Sequence, residues 1–479
     1  ATIDAGLIVG TTTTIAAATV AVNQFLGIPY ASVPTESARF SPPSLPATWN
    51  GTLNTTSSRS SCIQVFHTTL QGEYLEDIFG GPKESESEDC LYLNVFAPRK
   101  SVNILKPAFP VLYWLHPGGS TFGNIAQPLY DGSHFAAFED VIVVTVQYRL
   151  DVFGFPQTSE ISNLTERNLG LLDQRAGLDW IHRNIKSFGG DTSKITIFGA
   201  SFGSMATDAL ITSYSPDVKP PFQAAIMMSG TYAWASHQQC NNSDFTSWDT
   251  FTNSLNCDSL ECVKSKSADE IRAIRSKQSF FFGQACDNVT FVSDPRLRKS
   301  AGNFAQVPIM LGSSTGDANY QLAAIGITDV DAYFATFFPG QSELKTKVLA
   351  AYPVGSGDGA DNITQLAGIH TEWNFRCPTL FNSMDSAKSV PTFRYIYNAT
   401  FPNTRQTSPN ITAIWPLKDQ GAWHTSELAD VFSTYDDAYP SVRAPPEEEA
   451  LSAVVRGAWA AFARNPANAP VNGWKRVES

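Results

Sequence analysis

Two continuous apolar runs, "FPVLYWLH" at 109–116 and "VIVVTVQYRL" at 141–150, constrain the fold of this chain more than any other feature. A strand with one wet face alternates apolar and polar residues. These runs are apolar all round, the pattern of parallel strands covered on both faces. "GLLDQRAGLDWIHRNIKSFGG" follows, with Leu171, Leu172, Leu178, Trp180, Ile181 and Ile185 at near-helical spacing and a stop at Gly189 and Gly190. Next, "KITIF" reads as a strand, "FGASFGS" (198–204) as a tight turn and "GSMATDALITSY" as a helix. A strand–helix–strand–turn–helix series implies a doubly wound α/β sheet. "QAAIMMSG", "VPIMLGSS" and "TFRYIYNA" (392–399) supply further strands, and the first hundred residues ("GLIVG", "TTIAAATVAV", "NQFLGIPYA", "LYLNVFAP") read as a small β region. Segments 232–300 and 328–390 are irregular or helical and are expected to cap the sheet edge. No repeat or linker divides the chain, so 1–479 is read as one domain with these insertions.

With 479 residues, 43% of them hydrophobic, the chain can bury a large core. Its net charge of −12 disfavours a nucleic-acid partner, whose phosphates it would repel. No apolar run approaches the eighteen or so residues needed to span a bilayer. The chain begins at Ala1 rather than Met, from which we expect that a signal peptide has been removed. Eight N-x-S/T sequons, at Asn50, Asn54, Asn163, Asn241, Asn288, Asn362, Asn398 and Asn410, agree with secretion and glycosylation. Seven cysteines lack the CxxC spacing of zinc or redox sites and allow at most three bridges. Cys377, in "FRCPT", is the expected buried free thiol.

Gly199, Ser201 and Gly203 form a G-x-S-x-G pattern. Alone, it also fits an ordinary turn. Between an apolar strand and a helix it is a candidate nucleophile elbow, where small residues let the backbones approach closely. A serine hydroxyl needs a base oriented by an acid. Of seven histidines, His116 sits in a glycine turn and His182 mid-helix, where a solvent-facing reading is preferred. His67, His134, His237 and His370 have no other catalytic signature, whereas His424, in "GAWHTSELADVF", follows a small-residue turn near the C-terminus. The elbow fixes the order serine, acid, histidine. Asp317, just past the "VPIMLG" strand, is the candidate acid, with Asp329, Asp331, Asp358 and Asp361 as rivals. "LHPGGSTFG" (115–123) supplies Gly118 and Gly119 as oxyanion donors, joined by the N–H of Phe202. This chemistry needs no metal or cofactor.

Here the chain resembles the type-B carboxylesterase and lipase family, which includes cholinesterases and secreted fungal esterases. "NQFLGIPYA", "ARFSPP", "SEDCLYLNVFAP", "VTVQYRLDVFGF", "NLGLLDQRAGLDWIHRNIKSFGGD" and "ITIFGASFGS" occur in the family's order. The resemblance implies an α/β-hydrolase fold, with Ser201 as nucleophile, His424 as base and acid, and Asp317 at a position where many members carry Glu. It also implies bridges Cys62–Cys90, enclosing an Ω-loop, and Cys257–Cys262, with Cys240–Cys286 as a weaker third. Arg39–Glu88 and Arg149–Asp173 correspond to scaffold ion pairs, and Ser229 to a residue that supports the acid.

The departures narrow the substrate. Cholinesterases hold a quaternary ammonium against an Ω-loop tryptophan, but residues 63–89 contain no Trp. The elbow has Ala200 where an acidic residue is usual, and Phe202 where a small one is, so both are expected to shape the substrate pocket. Pro117 replaces the first glycine of the oxyanion loop. Ω-loop residues Phe66, Leu70, Tyr74, Leu75, Ile78 and Phe79 are read as packing, with a lipase lid as the alternative. The resulting expectation is a secreted ester hydrolase working through an acyl-enzyme on small, uncharged, hydrophobic esters. Alternatives are a lipase, an acyltransferase or lactone-opening enzyme, and a non-catalytic binding protein on the same fold. The oligomeric state is left open.

Overall fold

In the computed structural model the all-round apolar runs lie at the centre of a nine-stranded sheet. The structure describes the chain except residues 81–85, 101–107, 233–240, 279, 320, 355–361, 406–420, 441 and 479. His237, Cys240, Asp358, Asp361 and Asn410 therefore lie outside the described residues. In chain order the strands are β1 (Thr11–Thr13), β2 (Val22–Pro29), β3 (Tyr92–Pro98), β4 (Phe109–Leu115), β5 (Ile142–Val146), β6 (Gly190–Ala200), β7 (Ala224–Met228), β8 (Ile309–Ser314) and β9 (Thr392–Tyr397). Their spatial order is β9-β8-β7-β6-β4-β5-β3-β2-β1. Strands β5, β4, β6, β7, β8 and β9 run parallel, and β1 to β3 join antiparallel. A separate three-stranded sheet of Thr2–Ile3, Gly6–Val9 and Thr52–Asn54 completes the N-terminal β region.

Every residue of β4 and β5 is buried, and the two faces carry different neighbours. Val111, Tyr113 and Leu115 face a core shared with helices α1 (Leu169–Asn184) and α2 (Phe202–Ser213). Leu112 and Trp114 face the other core, closed by α5 (Leu428–Phe432) and α6 (Pro446–Arg464). Burial on both sides is why these strands do not alternate. The run "TTIAAATVAV" departs from its strand-like reading. Only its ends are extended, because residues 14–21 turn between the antiparallel β1 and β2.

Within 232–300 lie the helices Thr246–Ser254, Leu260–Ser265 and Ala268–Arg275, whose Trp248, Phe251, Val263 and Ile271 continue the first core. Within 328–390 a long helical stretch runs through α3 (Asn362–Thr371), a π-helical turn (Glu372–Arg376) and α4 (Cys377–Ala387). Pro378 accounts for the widened turn. It has no N–H to give the Asn374 carbonyl four residues back, and its ring would press on that carbonyl in a regular helix. The Cys377 N–H instead reaches the Glu372 carbonyl, five residues earlier.

Disulfides join Cys62 to Cys90 and Cys257 to Cys262, and Cys286 is also disulfide-bonded. Cys377 is free but only half-buried, which corrects the expectation of a buried thiol. Its place on the outer part of the helical stretch leaves the sulfur beside Glu372 at 3.6 Å. Arg39 and Glu88 pair at the base of the Ω-loop, and Arg149 grips both carboxylate oxygens of Asp173 at 2.8 Å. The Arg149–Asp173 pair ties the chain after β5 to helix α1, with 5% and 0% of the side chains exposed. Removing one partner of a buried pair strands the other charge. Asp173→Leu is therefore expected to cost about 3–5 kcal/mol, read by denaturant unfolding. A loss below about 1 kcal/mol would show that the pair is not a structural tie.

Candidate active site

Strand β6 ends at Ala200, and the chain reverses at Ser201 with φ 52° and ψ −119° before α2 begins at Phe202. A β-carbon-bearing residue rarely adopts this conformation, and it persists only where surroundings impose it. The Ser201 N–H donates to the Met228 carbonyl on β7 at 2.9 Å. At Gly203, an added Cβ would lie 2.0 Å from the Leu115 carbonyl oxygen on β4, so only glycine lets the helix start this close to the sheet.

The glycine loop follows β4 directly. Gly118 is buried with φ +127°, and Gly119 is exposed beside Ser201 and Phe202 in the wall of a cavity of about 740 Å³. The Phe202 N–H belongs to the first turn of α2, where no intrahelical acceptor exists and the helix dipole favours negative charge. His116 supports the loop from behind. It is fully buried, its Nδ1 meets the Pro117 carbonyl at 2.8 Å, and its ring stacks on Tyr148 at 4.1 Å. Burial pushes its pKa down to about 4, so the ring is neutral near pH 7. A buried pair that sequence reasoning missed, Arg275 on Asp151, braces the same loop, because the Asp151 N–H donates to the Ser120 carbonyl at 2.7 Å.

His424 stands on the loop before α5 and lines the same cavity. Its Nδ1 meets Asp317 Oδ1 at 2.9 Å. The other oxygen, Oδ2, accepts from the Ser314 N–H at 2.9 Å and from Ser229 Oγ at 3.1 Å. Asp317 thus sits at the end of β8, completely buried, with three donors converging on it. The rival Asp329 caps the helix Val330–Phe337 and Asp331 pairs with Lys345, so both have structural employment. Among the other histidines, His182 is half-buried rather than solvent-facing, with Nε2 on the Pro221 carbonyl at 2.8 Å. His134 is half-buried with its ring on Phe138, and His370 lies against Tyr333.

Phe202 lines the cavity and is also packed against Tyr148 and Phe155. Ala200 is not part of the lining, which corrects the expectation that it shapes the substrate pocket. It is wholly buried in the core with Phe198, Trp114 and Phe432, because the alternation of β6 turns it to the sheet face opposite Ile197. Of the Ω-loop residues, Phe66 and Phe79 pack on Phe122 of the glycine loop at 5.1 and 5.6 Å. Leu75 and Ile78 are half-buried, and the side chains of Leu70 and Tyr74 lie outside those described. The sequons at Asn50, Asn54, Asn163, Asn241, Asn288, Asn362 and Asn398 are all exposed.

Several residues at the site have no sequence signature of their own. Phe375, on the π-helical turn, contacts the His424 ring at 5.0 Å, and its neighbour Asn374 also lines the cavity. Glu427 is fully buried three residues after His424, and its Oε2 accepts at 3.3 Å from Oγ of Ser314, the residue whose N–H meets Asp317. Burial first, and then the nearby Asp317 charge, push its pKa up to about 8. The acidic residue in "HTSELADVF" was visible in the sequence, but its burial was not.

The family model described as the carboxylesterase family matches residues 1–479. Para-nitrobenzyl esterase of Bacillus subtilis (strain 168) is 31% identical over 471 residues, covering 94% of this chain and 88% of that protein. Cocaine esterase of Homo sapiens is 30% identical over 481 residues, covering 96% and 82%. Secreted lipase 5 of Gibberella zeae is 28% identical, covering 96% and 84%. A solved structure of PNB esterase superimposes with a TM-score of 0.76 at 27% identity, covering 99% of this chain and 92% of the other, an α/β-hydrolase likeness over nearly the whole chain.

The Glu427 proton makes stability depend on pH in a definite direction. Between the ordinary carboxyl value of 4.5 and about 8, the folded chain keeps a proton that the unfolded chain has released. Stability from this group is therefore lost as pH rises through that window, at up to about 1.4 kcal/mol per pH unit. Glu427→Gln, which cannot ionise, is expected to match the wild type at pH 5 and to unfold at higher temperature than it at pH 8. Parallel curves would rule out a buried proton.

Proposed function

Since the chain belongs to the carboxylesterase family and is a serine carboxylesterase, we propose that Ser201 is its nucleophile, His424 its general base and acid, and Asp317 the orienting carboxylate. The observation that carries this reading is the convergence of Ser201, Gly119, Phe202 and His424 on one cavity, with Asp317 fixed behind the imidazole. An Asp–His contact at Nδ1 leaves Nε2 as the atom that exchanges protons. His424 removes the Ser201 hydroxyl proton as Oγ attacks the ester carbonyl carbon. The N–H groups of Gly118, Gly119 and Phe202 meet the oxyanion, with the α2 dipole adding to its stabilisation. Collapse of the tetrahedral intermediate expels the alcohol, protonated by His424. Water, activated by the same ring, then releases the acid from Ser201. Ser229 and the Ser314 N–H hold Asp317 in place.

The substrates we propose are uncharged esters with an apolar acyl group. Phe202 and Met205 supply an apolar wall beside the oxyanion donors, and no lysine or arginine is among the described lining residues. Secretion and glycosylation are part of the same proposal, supported by the exposed sequons, the disulfides and the likeness to a secreted fungal lipase. We also read 232–300 and 328–390 as caps of a single domain, because both contribute to the cavity wall.

An organophosphonate ester is expected to label Ser201 stoichiometrically, and Ser201→Ala to abolish turnover of p-nitrophenyl esters. An unlabelled, inert wild-type protein would sink the enzyme assignment. Asp317→Asn should lower kcat by roughly 10³–10⁴-fold, since a neutral amide cannot hold the imidazole tautomer or balance the imidazolium. Near-wild-type kcat would show that another group orients His424.

A further inference from the structure

The cavity wall is not uniformly apolar. Six carboxamides are among the described lining residues: Gln157, Asn241, Asn242, Gln284, Gln321 and Asn374. Some are committed to the scaffold. Asn242 exchanges two 2.9 Å hydrogen bonds with the Cys286 backbone, and Gln157 Nε2 donates to the Arg167 carbonyl at 3.2 Å. Gln321 and Asn374 are half-buried, and their side-chain amides make no hydrogen bond to any described residue, so these donors and acceptors are available to a ligand. Both adjoin the acid–base pair or a residue that touches it. Gln321 lies four residues after Asp317, and Asn374 precedes Phe375, whose ring rests on His424. The π-helical turn puts Asn374 and Phe375 together in the cavity wall, in keeping with the frequent use of such turns at functional sites.

We infer that Gln321 and Asn374 form the subsite for the leaving alcohol, and that this alcohol is uncharged and carries several hydroxyl groups. The inference rests on the roles proposed above for Ser201 and His424. The group that protonates the leaving oxygen must lie next to the alcohol, so the His424 side receives the alcohol and the Phe202–Met205 side the acyl chain. A carboxamide both donates and accepts without carrying charge, which matches hydroxyls and offers nothing to an ion. The one carboxylate among the described lining residues, Asp244, is exposed and engaged with the Thr246 N–H at 3.0 Å, so it adds no buried charge. At about 740 Å³ the cavity has room for a sugar- or cyclitol-sized alcohol together with an acyl chain. Phe375 then serves as the platform between the polar subsite and the imidazole.

The test compares two butyrate esters of similar size, methyl 6-O-butyryl-glucoside and cyclohexylmethyl butyrate, with active sites counted by phosphonate titration. The wild type is expected to favour the hydroxylated ester in kcat/KM by about tenfold or more, as a site built to hydrogen-bond its substrate disfavours the analogue without those groups. Asn374→Leu and Gln321→Met should each reduce that preference about three- to tenfold, mainly through KM. Equal or better turnover of the cyclohexylmethyl ester by the wild type overturns the inference, and this comparison stands even where a variant does not fold. A preference that survives in both titratable variants overturns the assignment to these two residues. Failure of the underlying reading looks different: neither ester is hydrolysed and Ser201 takes no label.

Discussion

The structure depends on one strained residue held in a tight frame. Ser201 adopts φ 52° and ψ −119° because β4, β6 and β7 leave no other path. The Leu115 carbonyl at the end of β4 sits where a side chain on Gly203 would be, and the Met228 carbonyl on β7 takes the Ser201 N–H. Strain of this kind costs of order 1–3 kcal/mol and survives only if the surrounding sheet over-determines it. The two apolar cores provide that rigidity. The turn projects the hydroxyl out of the sheet edge and points the first N–H groups of α2 at the same spot.

The second constraint is electrostatic. Asp317 and Glu427 are both completely buried and share Ser314 as a neighbour, one through its N–H and the other through its hydroxyl. Two adjacent buried carboxylates cannot both carry charge cheaply. Glu427 holds a proton up to about pH 8, while Asp317 is the carboxylate that three donors surround. Of the two, Asp317 is the one that meets His424. Beyond it, Asp430 is likewise buried, receives the Tyr397 hydroxyl and has its pKa pushed up to about 7, so acidity is suppressed through this part of the core.

Much of the site was legible from local pattern. The elbow was readable because a strand, a glycine-flanked serine and a helix are adjacent in sequence, and the glycine loop because it follows an apolar run directly. His424 emerged from a short search among seven histidines. Asp317 was harder, with four rivals along the chain that the serine–acid–histidine order alone did not exclude. Ala200 was misread for a simple reason: a residue next to the nucleophile in sequence points, by strand alternation, into the opposite core. Phe375 and Asn374 lay beyond reach, since a π-helical turn has no signature other than Pro378 and nothing local says which way the widened turn faces.

By itself the sequence determined the order of strands and helices, the turn that bears the serine, the cysteines able to pair and the absence of a strongly basic surface. These follow from covalent neighbours and hydrophobic period, which act over a few residues. The tertiary structure alone decided which carboxylate meets His424, which carboxyl keeps its proton, and which amides face the cavity. Those properties arise where segments one to two hundred residues apart exclude water from one another, and burial, not residue type, then sets charge and contact.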